Sequence, residues 1–295
     1  MPKAQRFQGG YKFANFEGQP RPAIEETMVP SRVTVPLRQG FGAEGDCLVK
    51  VGEKVSAGQI ISHIEKGVAS PVHATINGIV EEVRRVNYFK CDCLMVSIKG
   101  DGTADYQKVP GVAGNWEQLS VPELEKVLYL SGVTAIDREG IPTRFHSSVI
   151  HPEDVENLIV HGVGSEPYNI SLDVLLQGKN TLYLIEGIRI LHKIMPRAKV
   201  YFALNSQCKK IIEEVNKLTV KFDWLEFCIL EPKYPQGYDE MLVPTILKQK
   251  FPYGYSAANI GTVILNLQAV LQVYEAAVLG KPLIERTVAL CGPAF

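Results

Sequence analysis

The sequence lacks three features that mark common functional classes. None of its six cysteines belongs to a Cys-x-x-Cys pair, which argues against a four-thiolate zinc or iron–sulfur site and favours reduced cytosolic thiols. Lysine plus arginine total 31 and aspartate plus glutamate total 32. The chain therefore lacks the basic excess that would indicate nucleic-acid binding. No apolar run approaches the roughly 18 residues of a membrane span, and the N-terminus has no signal-peptide core. These absences predict a cytoplasmic protein without a nucleic-acid partner.

The composition that is present fits a packed globular protein. Hydrophobic residues make up 46% of the 295 residues and charged residues 21%, a mixture that excludes general disorder. A chain of this length is expected to form two domains, or one large domain with an appendage. The six histidines include no pair at helical i,i+4 spacing with a glutamate between them, so no metal site is predicted.

The first third of the chain reads as β structure. Residues 1–30 are polar and rich in glycine and proline, which predicts an extended segment that wraps a surface. From residue 31 to 105, short β-type runs alternate with turn residues, and this spacing is typical of a small antiparallel sandwich or barrel. The predicted strands are Arg32–Pro36, Cys47–Val51, Gln59–His63, Gly78–Val83 and Cys93–Ile98.

Residues 115–295 show helices and strands in alternation, which predicts an α/β domain with a mostly parallel sheet. Ser206 is the predicted N-cap of one helix, and Gly280 is predicted to end another. The predicted helices are Pro122–Leu130, Thr181–Met195, Ser206–Leu218, Asp239–Lys248 and Leu267–Leu279. The predicted strands are Leu158–Val163, Lys199–Leu204, Leu225–Leu230, Ile260–Leu265 and Arg286–Leu290.

Residues 49–61 and 70–80 carry a "V-G-x-x-V-x-x-G-Q" turn followed by "P…G-x-V". This pattern resembles the barrel-sandwich hybrid fold of biotinyl and lipoyl domains, with glycines at tight turns. Lys66 would then be a modified carrier lysine or an ordinary turn lysine, and its Glu65-Lys66-Gly67-Val68 context matches neither carrier motif. The sequence therefore favours a structural module. His73 is predicted to be a turn or interface residue.

A series of distinctive motifs runs along the whole chain. The motifs are F-Q-G-G at 7–10, P-V-H-A at 71–74, G-I-P-T at 140–143, E-P-Y at 166–168, E-G-I-R at 186–189, K-Y-P-Q-G at 233–237, Asn266, and G-K-P-L-I-E-R at 280–286. Their order resembles the C subunit of the Rnf electron-transport complex (RnfC). That family is related to the NADH- and FMN-binding subunit of complex I and to the quinone-binding A subunit of the sodium-translocating NADH:quinone reductase.

The resemblance implies a barrel-sandwich hybrid domain followed by a Rossmann-like α/β domain of the complex I flavoprotein-subunit type. It implies FMN and NADH as cofactors. The implied partners are the other subunits of a membrane-bound Rnf- or Nqr-type complex, with ferredoxin or an iron–sulfur subunit, at the cytoplasmic membrane face. The residues that match the family's cofactor pocket are Gly140, Thr143, Glu166, Lys233, Tyr234, Gln236, Gly237 and Asn266.

The sequence departs from the family pattern at the loop expected to approach the flavin phosphate. The family loop resembles "G-L-G-G-A-G-F-P-T", whereas residues 135–143 read A-I-D-R-E-G-I-P-T. Asp137 and Glu139 place carboxylates where a phosphate needs bare backbone N–H groups. After Asn266, the family's threonine is replaced by Ala269. These changes predict a degenerate flavin and NADH site.

Relatives continue beyond this sequence with two ferredoxin-type cysteine clusters, and this chain ends at Phe295 without such ligands. No iron–sulfur cluster is therefore expected here, and the sequence belongs either to a truncated chain or to a shortened paralogue. Two functions follow from the resemblance. One is an electron-transfer subunit of an Rnf/Nqr-type NADH-dependent oxidoreductase complex, and the other is a non-catalytic scaffold or assembly subunit that keeps the fold without flavin.

Overall fold

The computed structural model describes residues 5, 7–13, 23–39, 43–63, 69–88, 91–112, 114–135, 141–142, 154–164, 169–250 and 252–290. The chain divides into two compact units built from interleaved segments. The barrel-sandwich unit contains Glu26–His146 and Gln272–Arg286, and the α/β unit contains Met1–Glu25, Ser147–Leu271 and Thr287–Phe295. The sequence-based boundaries at residues 1–30, 31–105 and 115–295 stay a prediction.

The barrel-sandwich unit has two small antiparallel sheets, in the orders β1-β7-β6-β3 and β2-β4-β5. Its strands are β1 (Arg32–Pro36), β2 (Asp46–Cys47), β3 (Lys54–Val55), β4 (Ile60–His63), β5 (Val72–His73), β6 (Gly78–Tyr88) and β7 (Cys91–Gly100). Alternate apolar residues of these strands, such as Val35, Ile61, Val80 and Ile98, are fully or almost fully buried in one core. The predicted antiparallel sandwich is confirmed, although β6 and β7 are longer than the sequence suggested.

The glycine-rich turn of the biotinyl-like pattern has a structural explanation in this unit. Gly58 has a φ of +82° and donates its N–H to the Ala74 carbonyl at 2.8 Å. The neighbouring Ala57 N–H donates to Asn77 Oδ1 at 2.7 Å. A side chain on Gly58 would come within 2.6 Å of the Gln107 carbonyl oxygen. The turn therefore requires glycine for its backbone conformation and for close packing.

Further elements of this unit lie outside the two sheets. Helix α1 (Val121–Leu130) begins with a capping box between Ser120 and Glu123. Strands β8 (Thr134–Ala135) and β9 (Ile141–Pro142) form an antiparallel pair.

The α/β unit is built on a four-stranded parallel sheet in the order β12-β11-β10-β13. Its strands are β10 (Asn157–His161), β11 (Lys199–Asn205), β12 (Leu225–Leu230) and β13 (Thr262–Asn266). The helices are α2 (Leu172–Leu175), α3 (Asn180–Ile194), α4 (Lys209–Thr219), α5 (Asp239–Leu247) and α6 (Leu267–Tyr274). After Tyr274, α6 continues as a π-helix over Glu275–Leu279 and ends at Gly280, and residues Gln272–Arg286 are assigned to the barrel-sandwich unit. The predicted alternation and parallel sheet are confirmed.

Three sequence-based assignments are wrong. The predicted strand Cys47–Val51 shares only Cys47 with β2 (Asp46–Cys47), and a turn follows at Val51. Ser206 does not cap a helix: its N–H donates to the Leu230 carbonyl at 2.9 Å, and α4 starts at Lys209 with Cys208 as N-cap. The stretch 286–290 is not a strand. Val288 and Leu290 are about 70% exposed, at 69% and 73%, so their alternation does not mark a core-facing strand.

Candidate functional site

The carboxyl edge of the parallel sheet contains a topological switch point. The chain proceeds from β10 to β11 and β12 on one side, and β13 then pairs with the other side of β10. His161 at the end of β10 is aligned with Asn266 at the end of β13. Ligands of open α/β sheets bind in the crevice beyond such strand ends. The region beyond His161 and Asn266 is therefore the candidate cofactor position.

Asn266 lies at this switch point and caps a helix. Its Oδ1 accepts a hydrogen bond of 2.9 Å from the N–H of Ala269, the third residue of α6. This is the geometry of an asparagine N-cap, which satisfies one of the free N–H groups of the first helical turn. The residue that the resemblance places in the flavin pocket thus has a structural role in this chain.

The space directly beyond β10 is occupied by apolar side chains. A Cβ on Gly162 would lie 2.7 Å from Leu172 Cδ1 and 2.8 Å from Leu267 Cδ1. Both leucines are buried. Sequence reasoning missed this contact, since Leu172 and Leu267 are far apart in the chain and each reads as an ordinary apolar residue. Apolar groups cannot replace the hydration of a phosphate.

The Lys233–Gly237 loop lies at the opposite side of the sheet from Asn266. It follows β12, which is separated from β13 by β11 and β10. With about 4.8 Å between neighbouring strands, the axes of β12 and β13 are roughly 14 Å apart. Lys233, Tyr234, Gln236 and Gly237 therefore lie together in the loop that follows β12. Asn266 lies at the end of β13, on the opposite edge of the sheet.

The N-terminal segment pairs with this loop. Tyr11 and Tyr234 exchange two backbone hydrogen bonds of 2.9 and 2.8 Å. Lys233 Nζ donates to the Gly9 carbonyl at 3.3 Å and lies 3.8 Å from Glu231 Oε2. The Phe13 ring packs edge-on against the Tyr234 ring, with centroids 5.7 Å apart. The lysine and tyrosine of the motif therefore already have partners within this unit.

Gln236 anchors the loop from inside. It is fully buried, and its Nε2 donates to Thr245 Oγ1 of α5 at 3.3 Å. Its Oε1 has no hydrogen-bond partner within the described residues. Its N–H donates to the Lys233 carbonyl at 2.8 Å and closes the turn. Gly237 is also buried, so the second half of the motif supports the start of α5.

The E-G-I-R motif has a packing explanation. A Cβ on Gly187 would clash with the Val270 carbonyl oxygen and lie 2.9 Å from Val270 Cγ1. Glycine at this position of α3 therefore permits close approach to α6. Two residues further along the motif, Arg189 pairs with Glu186 at 2.7 Å.

The sequence predicts that His73 is a turn or interface residue, and the turn assignment is wrong. It is a buried residue of β5, and its Nε2 lies 2.9 Å from the Leu130 carbonyl oxygen. The interface role stays a prediction. Burial lowers the pKa of His73 to about 4, while the bond to Leu130 opposes the shift. The imidazole is therefore neutral near neutral pH, and a neutral ring with a carbonyl partner can be buried.

Several predicted residues lie outside the described part of the chain. These are the candidate cofactor residues Gly140, Thr143 and Glu166, the loop carboxylates Asp137 and Glu139, and the candidate carrier residue Lys66. Within the described ranges, no cluster of three or more histidine, cysteine, aspartate or glutamate residues is arranged to hold a metal ion. The helices within the same ranges are too short or too polar to cross a membrane.

The chain is similar to known proteins over both units. Residues 5–103 match the RnfC barrel sandwich hybrid domain, and residues 130–275 match the Nuo51 FMN-binding domain. The C subunit of the proton-translocating ferredoxin:NAD(+) oxidoreductase complex of Clostridium ljungdahlii is 27% identical over 277 residues, which are 92% of this chain and 59% of that protein. The C subunit of the Na(+)-translocating ferredoxin:NAD(+) oxidoreductase complex of Acetobacterium woodii is 26% identical, over 90% of this chain and 60% of that protein.

Longer relatives are also similar to this chain over most of its length. The C subunit of the ion-translocating oxidoreductase complex of Vibrio cholerae is 25% identical over 98% of this chain and 37% of that protein. The chain thus spans about 60% or less of the length of these relatives. Among solved structures, an NAD+-reducing [NiFe]-hydrogenase in the H2-reduced state has a TM-score of 0.43 at 15% identity, over 57% of this chain and 33% of that chain. The two family models together cover most of this chain, which therefore combines an RnfC barrel sandwich hybrid domain with a Nuo51 FMN-binding domain.

Proposed function

We propose that this chain is an electron-transfer subunit of an Rnf- or Nqr-type NADH-dependent oxidoreductase complex, with a degenerate flavin and NADH site. The observation that carries the proposal is the order of two domains in one chain, an RnfC barrel sandwich hybrid domain and then a Nuo51 FMN-binding domain. Two of its relatives are named as subunits of ferredoxin:NAD(+) oxidoreductase complexes. The proposed partners are membrane subunits of such a complex and ferredoxin or an iron–sulfur subunit, with the chain peripheral at the cytoplasmic membrane face.

The degenerate character of the site is supported by three observations on different residues. The loop expected to face the flavin phosphate carries Asp137 and Glu139, which repel an anion at close range. The switch point is packed with Leu172 and Leu267. Asn266 uses its Oδ1 to cap α6. The described residues at the switch point therefore leave little room for FMN, so weak FMN binding is expected, and no electron-transfer step is assigned to a flavin within this chain.

A first experiment co-expresses the chain with the membrane subunits encoded by its own genome and isolates it by affinity purification. We expect the membrane subunits to be recovered with it, and the isolated complex to oxidise NADH. Failure to recover them would contradict the proposed partnership. The matched variant carries Asp137→Gly and Arg138→Gly, which alter the loop expected to face the flavin phosphate. The scaffold alternative predicts that this variant still assembles with the membrane subunits, and loss of assembly would count against that alternative.

A second experiment measures FMN and NADH binding to the purified chain by calorimetry. Because Leu267 fills the switch point, Leu267→Ala is expected to strengthen any FMN binding, whereas Val243→Ala, a buried change on α5, should not. If neither cofactor binds to the chain or to its complex, the electron-transfer role is contradicted.

The alternative is a non-catalytic scaffold or assembly subunit. The crowding of Gly162 by two leucines favours it, because a chain that binds no flavin has no need for space there. This alternative predicts that the chain assembles fully with the membrane subunits. It also predicts that the flavin absorbance of the isolated complex shows no flavin attributable to this chain.

A further inference from the structure

A polar cavity of about 240 Å³ lies within the barrel-sandwich unit, and none of the predicted cofactor residues lines it. Its walls come from stretches that are far apart in the chain, namely residues 37–39 and 43, residues 69–73 and 75, residues 132 and 134, and residues 283–286. The last stretch is part of the G-K-P-L-I-E-R motif, and residues 71–74 are the P-V-H-A motif. Two motifs without a role in the proposed function therefore meet at one cavity.

Two arginines line this cavity without a carboxylate partner. Arg38 forms no ion pair within the described residues, and Arg286 donates from Nη2 to Thr134 Oγ1 at 3.2 Å. The surroundings of Arg286 remove water from its guanidinium and lower its pKa from the usual value, although arginine stays charged near neutral pH. Both residues are also exposed to solvent, so an anion can reach them. Two arginines that line one cavity without a carboxylate partner favour a bound anion.

The other titratable groups of the cavity do not cancel this charge. Glu285 lines the cavity and pairs with Lys281 Nζ, which it shares with Glu275. A single carboxylate in the described lining is outnumbered by the two arginines. His73 also lines it and is neutral, since burial lowers the pKa of its imidazole to about 4. The cavity therefore carries a positive charge at neutral pH, from Arg38 and Arg286.

Hydroxyl groups complete the polar lining. Thr134 Oγ1 accepts from Arg286, so its own O–H is available as a donor. Thr75 lines the cavity and forms no side-chain hydrogen bond within the described residues. Ser70, in the same wall, has a buried hydroxyl with no partner in the described part of the chain, which is uncommon in folded proteins. A ligand that accepts hydrogen bonds would satisfy such donors.

The size of the cavity limits the ligand. Pockets for drug- or cofactor-sized molecules span about 300–1,000 Å³, so this cavity is smaller than the usual range and matches a small anion better than a whole flavin nucleotide or dinucleotide. The planar fork of arginine matches the oxygens of phosphate.

We propose that this cavity binds a small phosphate anion, which Arg38 and Arg286 hold by charge-assisted hydrogen bonds and which accepts further hydrogen bonds from Thr75 and Thr134. The site lies in the barrel-sandwich unit, and it is independent of the proposed electron-transfer role. It assigns a ligand-binding purpose to Arg286 of the G-K-P-L-I-E-R motif.

Calorimetric titration of the full-length chain with inorganic phosphate, in a phosphate-free buffer near neutral pH, tests the proposal. The wild-type chain should bind phosphate with a measurable heat at one site. Arg38→Gln and Arg286→Gln should each weaken binding about tenfold, as expected for the loss of a hydrogen bond to a charged group. Arg286→Lys keeps the charge but loses the fork, and it should weaken binding by a smaller factor than Arg286→Gln.

Arg84→Gln is the matched control. Arg84 is an exposed arginine of β6 in the same unit that pairs with Glu82 at 3.3 Å and does not line the cavity. Its substitution should leave phosphate affinity unchanged, and thermal melts should show that all four variants are folded. The proposal is overturned if the wild-type chain binds no phosphate, if Arg38→Gln and Arg286→Gln bind it as tightly as Arg84→Gln does, or if malonate binds more tightly than phosphate.

Discussion

The two units use their motif residues in different ways. In the barrel-sandwich unit, Gly58 and Asn77 hold a tight turn between antiparallel strands through hydrogen bonds from backbone N–H groups. In the α/β unit, two motif residues act on one helix: Gly187 of α3 allows close packing against α6, and Asn266 caps the first turn of α6. The comparison teaches that a motif shared with flavoprotein subunits can persist for reasons of packing. It predicts distinct responses of the two units to pH and to substitution.

The largest expected effect is an acid-dependent loss of stability in the barrel-sandwich unit. The pKa of His73 is about 4 in the folded chain, against 6.5 for an ordinary histidine. As the pH falls, the unfolded chain therefore takes up a proton on His73 at a higher pH than the folded chain does. The free energy of unfolding has its full value above about pH 6.5 and decreases as the pH falls towards 4. A shift of this size corresponds to about 3 kcal/mol. Urea unfolding at several pH values measures it.

Each unit contains one of the two tryptophans, Trp116 in the barrel-sandwich unit and Trp224 in the α/β unit, so Trp224→Phe and Trp116→Phe variants report on one unit each. His73→Gln is the control, because its amide can still donate to Leu130 but does not titrate. An equal pH dependence of the Trp116 signal with and without His73→Gln would contradict the prediction. The Trp224 signal should depend less on pH, since His192, which stacks on Trp224 with centroids 3.9 Å apart, is only half-buried and has a lowered pKa.

The second effect tests the close approach of α3 and α6. In Gly187→Ala the new Cβ collides with the Val270 backbone, and overpacking against backbone costs about 3 kcal/mol. The higher helix propensity of alanine offsets about 1 kcal/mol, so a net loss of about 2 kcal/mol is expected in urea unfolding followed by Trp224. Leu182→Ala, at a 52% exposed position of α3, should be nearly neutral. If Gly187→Ala is as stable as the wild type, the packing role is wrong.

A third effect separates capping from cofactor contact at Asn266. Asn266→Ala removes the bond to the Ala269 N–H and should cost about 1 kcal/mol, measured as above. Asn266→Asp keeps an N-cap acceptor and should restore stability. A destabilisation of Asn266→Asp equal to that of Asn266→Ala would show that the oxygen at this position does not act as a cap.

Most of the fold followed from local pattern, and its exceptions have physical causes. The bounds of β1 and β12 agree with the sequence because short apolar runs between turn residues define them. The hydrogen bond from the Ser206 N–H to the Leu230 carbonyl depends on the pairing of strands that are far apart in the sequence. No local sequence signal encodes such a pairing. Val288 and Leu290 look like strand residues, yet both side chains are exposed.

The candidate site was less accessible to sequence reasoning. The resemblance grouped Lys233–Gly237 with Asn266 in one pocket, and this grouping stays a prediction. The strand order places the two groups at the ends of β12 and β13, on opposite edges of the sheet. The packing of Leu172 and Leu267 against Gly162 arises from tertiary structure and has no signature in the sequence. The two arginines of the cavity are likewise separated by more than 200 residues, so only the fold brings them to one cavity.

The smallest effect concerns the pairing of the N-terminal segment with the Lys233–Gly237 loop. Gly9 and Gly10 both have positive φ, at 85° and 75°, so alanine at either position introduces similar backbone strain. A Cβ on Gly9 meets nothing within 4 Å, whereas one on Gly10 collides with the Phe7 ring and lies 2.9 Å from the Tyr234 carbonyl oxygen. Gly10→Ala should therefore weaken the Tyr11–Tyr234 pair by about 1 kcal/mol more than Gly9→Ala. Hydrogen exchange at the Tyr234 N–H should be about fivefold faster in Gly10→Ala than in Gly9→Ala. Equal exchange in the two variants would mean that the segment does not rest on the loop, and Lys233 and Tyr234 would then be open to a ligand.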